Sequence, residues 1–241
     1  MSYRILVDLS HNENVVEFPD FATEEDYEVE YLDKGEGPIE FENLEDCDIL
    51  FLGNIQHSKD RKADKFTQKE LQAIKKFVGD GGGLFLTSGE GGDRDCSMKI
   101  GSLRVLYKVT GVRRFWNGII QEASSNYLIK KNNILITELF NHPITKGVTE
   151  VVLPNSTFFT ITEEDVEDII VTSQKAEFKY FVDGDIGVIG PVPICVVSKF
   201  YNGRCLSIGS SDWLLEDDFG LDAGDNLKFL SNILEWLSFE I

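Results

Sequence analysis

Apolar positions along the chain fall into short runs divided by polar loops, and the spacing inside each run assigns it to a strand or a helix. Ile5-Leu6-Val7 passes at once into Asp8-Leu9-Ser10-His11-Asn12-Glu13-Asn14, the form of a first buried strand with a polar exit. Glu28-Val29-Glu30-Tyr31-Leu32 alternates, which predicts a second strand near a sheet edge. Asp48-Ile49-Leu50-Phe51-Leu52-Gly53 is a continuous apolar run, as in a strand covered on both faces, and it exits into Asn54-Ile55-Gln56-His57-Ser58. Thr67-Gln68-Lys69-Glu70 carries the Thr-x-x-Glu spacing of a capping box, in which a hydroxyl and a carboxylate satisfy free amides at a helix start. Leu71, Ile74, Phe77 and Val78 then share one helix face, and Gly79 can supply the left-handed residue that stops the helix.

The central strand is Gly83-Leu84-Phe85-Leu86-Thr87-Ser88, and the glycine turn Gly89 to Gly92 after it lets backbone approach a ligand, a partner or neighbouring strands closely. Met98, Leu103, Leu106, Tyr107 and Val109 predict an amphipathic helix ending at Gly111. The order β, β, β, α, β, α fits right-handed crossovers in a largely parallel sheet. From about 117 to 200 the pattern changes to short runs such as Ile134-Leu135-Ile136, Val151-Val152-Leu153, Thr157-Phe158-Phe159, Ile169-Ile170-Val171 and Ile194-Cys195-Val196-Val197. These predict a β-rich extension with some antiparallel strands. Arg204 to Gly209 reads as the last strand, exiting to Ser210-Ser211-Asp212. A closing helix begins near Asp225-Asn226, with Leu227, Leu230, Ile233, Leu234 and Leu237 as its core stripe. The expected fold is an α/β three-layer sandwich with a mostly parallel, flavodoxin-like sheet, one domain over residues 1–241.

Composition narrows the class. A hydrophobic share of 42% with 27% charged residues is a globular balance. No apolar run approaches the roughly 20 residues that cross a bilayer, and the opening residues read as a strand, not as a signal peptide, so membrane insertion is not expected and a cytoplasmic location is. The formal net charge of −19 repels nucleic acid and anionic membrane surfaces, which excludes nucleic acid as a partner. The imbalance is local. Lys34 is the only base between Glu13 and Asp48, whereas Arg94, Lys99, Arg104, Lys108, Arg113 and Arg114 are accompanied only by Asp95. Either these are solvated faces or the basic stretch docks an acidic partner. The four cysteines form no CxxC or zinc spacing, so reduced thiols are expected, with Cys195 and Cys205 in the core and Cys96 near the glycine turn.

Asp48 to Gly92, Asn141-His142-Pro143-Ile144-Thr145-Lys146-Gly147-Val148, and Gly203 to Asp212 with Gly224-Asp225-Asn226 together resemble class I glutamine amidotransferase-like domains. The resemblance is to the noncatalytic branch: DUF4350-type domains, gliding-motility transporter accessory domains and the N-terminal domain of intraflagellar transport subunit 52, whose turn Gly89 to Gly92 resembles. It spans nearly the whole chain and implies an amidotransferase-like sheet and a protein-binding role. Active members place Cys in a G-x-C-x-G turn, with His and Glu further on. Here Thr87-Ser88-Gly89-Glu90-Gly91 holds no Cys, and His142 lies in a His-Pro-Ile-Thr loop motif, not a His-x-Glu.

The remaining catalytic candidates are Ser88, Glu90, His142 and Asp212. A serine nucleophile needs a base and an orienting group, and His11, His57 and His142 are the chain's histidines. Nothing in the spacing demands a triad of Ser88, His142 and Asp212: Ser88 also reads as a small residue that lets the turn pack, and Asp212 reads first as the cap of the turn after the last strand. Glu90 is an acid/base group if buried, or an acceptor for amides at the next helix start. A binding crevice is expected from His11, Asn12, Glu13, Asn54, His57, Gly89, Glu90, Gly91 and Asp212, because strand exits converge. A metal site from His11, Glu13, His57 and a carboxylate is chemically reasonable, but the ligands lack metal spacing, so the histidines are taken as solvated and no metal or cofactor is assigned. Gly81-Gly82-Gly83 precedes the strand and matches neither a dinucleotide fingerprint nor a P-loop. Phe158, Phe159, Phe178, Tyr180 and Phe181 are core or interface. The function expected is a noncatalytic binding or scaffold module with a protein partner. The alternative is a small-molecule hydrolase or a carbohydrate- or metabolite-binding domain using the same crevice.

Overall fold

The computed structural model describes residues 2–11, 13, 18–24, 27–53, 55, 65–92, 103–122, 126–161 and 166–241. The first half runs β1 (Tyr3–Leu9), α1 (Phe21–Glu24), β2 (Tyr27–Asp33), α2 (Phe41–Leu44), β3 (Ile49–Leu52), α3 (Gln68–Asp80), β4 (Gly83–Thr87) and α4 (Tyr107–Thr110). Then follow β5 (Val112–Phe115), β6 (Gly118–Gln121), β7 (Asn133–Ile136), β8 (Val151–Pro154), β9 (Phe159–Ile161), β10 (Val166–Val171), β11 (Glu177–Tyr180) and β12 (Ile186–Val188). The chain closes with β13 (Pro193–Phe200), β14 (Gly203–Ile208) and α5 (Asn226–Leu237).

Seven strands form the central sheet in the order β10-β13-β14-β4-β3-β1-β2. The five from β14 to β2 are parallel, and their sequence of neighbours is the flavodoxin-like 2-1-3-4-5 with β14 as its fifth member. β13 and β10 extend it antiparallel. Every residue of β3 and β4 is buried, as the unbroken apolar runs require. Alternation then divides each strand between two cores. Ile5, Val7, Phe51, Phe85, Leu206 and Ile208 face α5, with Trp213 and Phe229 among their neighbours. Leu6, Leu50, Leu52, Leu84, Leu86 and Cys205 face α3 and Val109 of α4. The three layers follow from this division.

The β-rich stretch forms small antiparallel sheets: β6-β11-β12, β5-β9 and β7-β8. Ile120, Ile134, Leu153 and Phe178 contribute to the same core as α5. Phe158, Phe159 and Phe178 are therefore core residues, while Tyr180 and Phe181 are half-buried. Cys195 and Cys205 are buried free thiols, as expected, and burial pushes Cys205 up to about 12. Among the described residues no helix is long and apolar enough to cross a membrane.

Local departures from expectation have simple causes. Helix α3 continues through Gly79 to Asp80, because Gly81, at φ +124°, is the residue that takes the positive angle and donates to the Phe77 and Val78 carbonyls. Leu227 is 42% exposed, and the α5 stripe instead runs through Phe229, Leu230, Ile233, Leu234, Trp236 and Leu237. The four-residue helices α1 and α2 carry no periodicity long enough to read. Met98 and Cys96 lie outside the described residues, and the predicted helix there is a 3₁₀ turn, Leu103–Leu106, leading into α4, with Gly111 left-handed at its end.

Gly83 sets the distance between β4 and α5. A Cβ there would stand 2.7 Å from the Leu237 carbonyl oxygen, which is backbone and cannot turn aside. Gly83→Ala is expected to destabilise the fold by about 1–3 kcal/mol, the usual penalty for overpacking. Urea unfolding checks this as a lower midpoint at unchanged slope.

Candidate functional site

In an open parallel sheet the carboxyl ends of the strands form the ligand-binding edge. Here that edge comprises the exits of β1, β3, β4 and β14. Asn12, Asn54 and His57, expected in the crevice, lie outside the described residues.

The glycine turn after β4 is closed by protein. Ser88 donates its N–H to the Ile208 carbonyl at 2.9 Å, tying the end of β4 to β14. Gly91 donates to the Gly118 carbonyl at 2.9 Å. Gly92, at φ +58°, lies so close to the residues between β5 and β6 that a Cβ would overlap the Trp116 carbonyl oxygen. That carbonyl also accepts from Thr157 Oγ1 at 2.5 Å. Gly89 and Gly91 are buried and Glu90 is exposed at the tip. Ser88 has no exposed surface, and its Oγ makes no hydrogen bond.

The other catalytic candidates stand elsewhere. His142 caps a 3₁₀ turn, Pro143–Thr145: its Nδ1 accepts from the Ile144 N–H at 3.3 Å, and its N–H donates to Thr145 Oγ1 at 3.1 Å. Its ring packs edge-on against Trp236, 5.2 Å between centroids, and burial lowers its pKa. Trp236 adjoins Leu237, which packs on the first residue of β4. His142 is thus at the amino end of the sheet, whereas Ser88 follows β4 at its carboxyl end. Asp212 follows β14, where its Oδ2 accepts from Asn155 Nδ2 at 2.6 Å. Asn155 holds a left-handed conformation, φ +49°. Ser88, His142 and Asp212 are not brought together as a triad.

The residues that do converge are at the exit of β1. His11 is 3% exposed, not a solvated loop histidine, and Asp8, Glu13 and Glu70 around it are 0%, 5% and 2% exposed. His11 Nδ1 lies 2.7 Å from Asp8 Oδ2 and Nε2 lies 3.1 Å from Glu70 Oε1. Phe66 covers the ring at 4.2 Å between centroids. Ser10 donates its hydroxyl to Asp8 Oδ1 at 2.6 Å, and Glu13 accepts the His11 N–H on both carboxylate oxygens at 3.0 and 3.2 Å.

Glu70 is the partner that spacing alone could not reveal. The capping box forms as expected, with Glu70 Oε2 accepting the Thr67 N–H at 2.6 Å and Thr67 Oγ1 accepting the Glu70 N–H at 3.3 Å. Its other oxygen accepts the Ile39 N–H at 3.2 Å as well as facing His11. One side chain therefore caps α3, fixes the chain before α2 and orients the imidazole. The Thr-x-x-Glu motif was the one available signal for it.

Burial drives the electrostatics. Desolvation, together with the neighbouring Asp8 charge, pushes Glu13 up to about 9, so it holds its proton at neutral pH. Desolvation acts in the same direction on Asp8, but hydrogen bonds and charge from His11, with those from Glu13 and Ser10, outweigh it and hold Asp8 below the usual range. A proton is thus stored at Glu13 beside an ionised Asp8.

No family model matches the chain, and no curated protein matches it in sequence. Solved structures do match in shape. The mmIFT52 N-terminal domain superposes with a TM-score of 0.72 at 18% identity, covering 98% of this chain and 97% of that one. A putative ThuA-like protein from Bacteroides uniformis gives 0.57 at 18% identity, with 98% and 91% covered. A cytoplasmic protein from Salmonella typhimurium, STM1381, gives 0.59 at 16% identity, with 98% and 99% covered. The fold is that of the amidotransferase-like α/β sandwich. Within that class, this chain is similar over its length to the mmIFT52 domain.

The buried Glu13 predicts a pH dependence. Its proton is kept in the folded state up to about 9 but lost near the ordinary 4.5 in the unfolded chain. The unfolded state therefore binds fewer protons between those values, and the Glu13 contribution, complete below about 4.5, is lost as pH rises through about 9. The slope is at most about 1.4 kcal/mol per pH unit. Glu13→Gln, neutral at every pH, is expected to flatten the fall in Tm between pH 6 and 9, measured with a chelator present.

Proposed function

We propose that the protein is a noncatalytic binding module, a scaffold on an amidotransferase-like fold that works through a protein partner. The observation that carries this reading is the state of the nucleophile position. Ser88 is fully buried, with an Oγ that makes no hydrogen bond, under a glycine turn sealed by the Trp116 carbonyl. A serine nucleophile needs a base within about 2.6–3.2 Å and room for an acyl group, and the described residues supply neither. The likeness to the mmIFT52 N-terminal domain supports the same reading through the fold. We take residues 1–241 as one domain with a β-rich extension at about 117–200, and place the protein in the cytoplasm.

The extension also offers an apolar surface. Ile186 and Val188 on the edge strand β12 are 56% and 69% exposed, and Val182 before them is 59% exposed. An open edge with apolar side chains is a template for adding a strand or packing a partner. The acidic edge strand β2, with Glu28, Glu30 and Asp33 exposed, is the opposite kind of surface.

Two measurements test the reading. Purified protein assayed against amide, glutamine and ester substrates is expected to give no turnover above Ser88→Ala; turnover that disappears in that variant replaces the scaffold reading with a hydrolase. Proximity labelling in cells is expected to mark reproducible protein neighbours for the wild type and to lose them for Ile186→Glu with Val188→Glu, at an unchanged Tm. Labelling identical in the two proteins moves the interface away from β12.

A further inference from the structure

The cluster at the exit of β1 brings three buried carboxylates around one imidazole. Asp8, Glu13 and Glu70 are each at least 95% buried. Among the described residues no Lys or Arg forms an ion pair with them, and the side chain they face in common is the His11 imidazole. Buried carboxylates without a counter-charge cost several kcal/mol each, so such sites hold protons or a metal.

The geometry distinguishes this set from a chance acidic patch. One donor atom each from Asp8, His11 and Glu13 lies within 4.8 Å of the others. Nδ1 stands 2.7 Å from Asp8 Oδ2 and 3.8 Å from Glu13 Oε1. Donors around a tetrahedral zinc with bonds of about 2.0–2.2 Å stand roughly 3.3–3.6 Å apart, between the two observed values. The second imidazole nitrogen is already taken by Glu70, at 3.1 Å. A carboxylate on the far nitrogen is the usual support of a metal-bound histidine: it fixes the proton on that side and leaves the near nitrogen's lone pair for the ion. One imidazole nitrogen and two carboxylate oxygens, without thiolate, suit a divalent ion of the zinc type.

We propose that Asp8, His11 and Glu13 form a divalent-cation site, with His11 ligating through Nδ1 and Glu70 holding its Nε2–H. The cation takes the place of the protons that Nδ1 and the carboxylates otherwise share, and these leave to solvent as it binds. Three protein donors leave a fourth position beside Ser10 Oγ, which is 3.0 Å from Nδ1. The site pins the β1 exit to the first turn of α3, so its effect is on the stability and shape of the strand-end crevice. It stands independently of the scaffold reading.

The test uses the full chain stripped with EDTA and then titrated with Zn²⁺ alone or Co²⁺ alone. The expected result is one equivalent bound, a rise in Tm, and the visible absorption of four-coordinate Co²⁺. Glu13→Gln is expected to weaken Zn²⁺ binding at least tenfold, His11→Gln to abolish it, and Glu70→Gln to weaken it roughly 10–100-fold through the imidazole. No Tm change and no Co²⁺ band at one equivalent overturns the proposal. So does binding that survives intact in Glu13→Gln, which assigns the ion to surface carboxylates. Should His11→Gln fail to fold, Glu13→Gln and the wild-type Co²⁺ spectrum decide.

Discussion

A parallel sheet lasts only while water is kept from both of its faces, and β4 is where this protein meets that demand most fully. All five of its residues are buried, it pairs with β3 on one side and β14 on the other, and its alternate side chains enter separate cores. Helices must cover it above and below. α3 and α5 do so, and Gly83 lets α5 come close enough for backbone to meet backbone. The same demand reaches the strand's far end, where the loop between β5 and β6 settles on the glycine turn. The turn packs under this loop, and the buried polar cluster of the strand ends lies two strands over, at β1.

At β1 the organising group is Glu70. Its carboxylate would be satisfied by the helix cap alone, yet it is shared among a cap amide, a loop amide and an imidazole. Sharing couples three segments that are distant in sequence: the β1 exit, the stretch entering α2, and the start of α3. A buried polar network of this kind is specific because each member is satisfied only in one arrangement. Phe66 over the imidazole keeps it dry, which strengthens every electrostatic contact inside.

What the sequence made legible follows from the range of each interaction. The runs at Ile49 to Leu52 and Gly83 to Thr87 announce strands covered on both faces, because burial on both sides removes the alternation. The Thr67 and Glu70 capping box is a contact between residues three apart, so its spacing survives in one dimension. The site does not. Asp8 and His11 are three residues apart, but Glu70 joins them only once the crossover has folded, and nothing local marks a histidine as dry. Polar residues in a strand exit read as solvated, and that expectation failed for His11 because Phe66 and α3 cover it. The end of α3 was missed by two residues for a related reason: several glycines from Gly79 to Gly83 could take the positive angle, and it is Gly81 that takes it.

The order of the sheet has a consequence for how the chain is made. β4 is complete by Thr87, but its second neighbour, β14, begins at Gly203, about 120 residues later. At ribosomal rates of about 5–20 residues per second, one hydrogen-bonding edge of this fully buried strand waits roughly 6–24 s for its partner. During that interval the nascent chain carries a strand whose side chains are all destined for the core, paired on one edge with β3 and open on the other, while the small antiparallel sheets emerge.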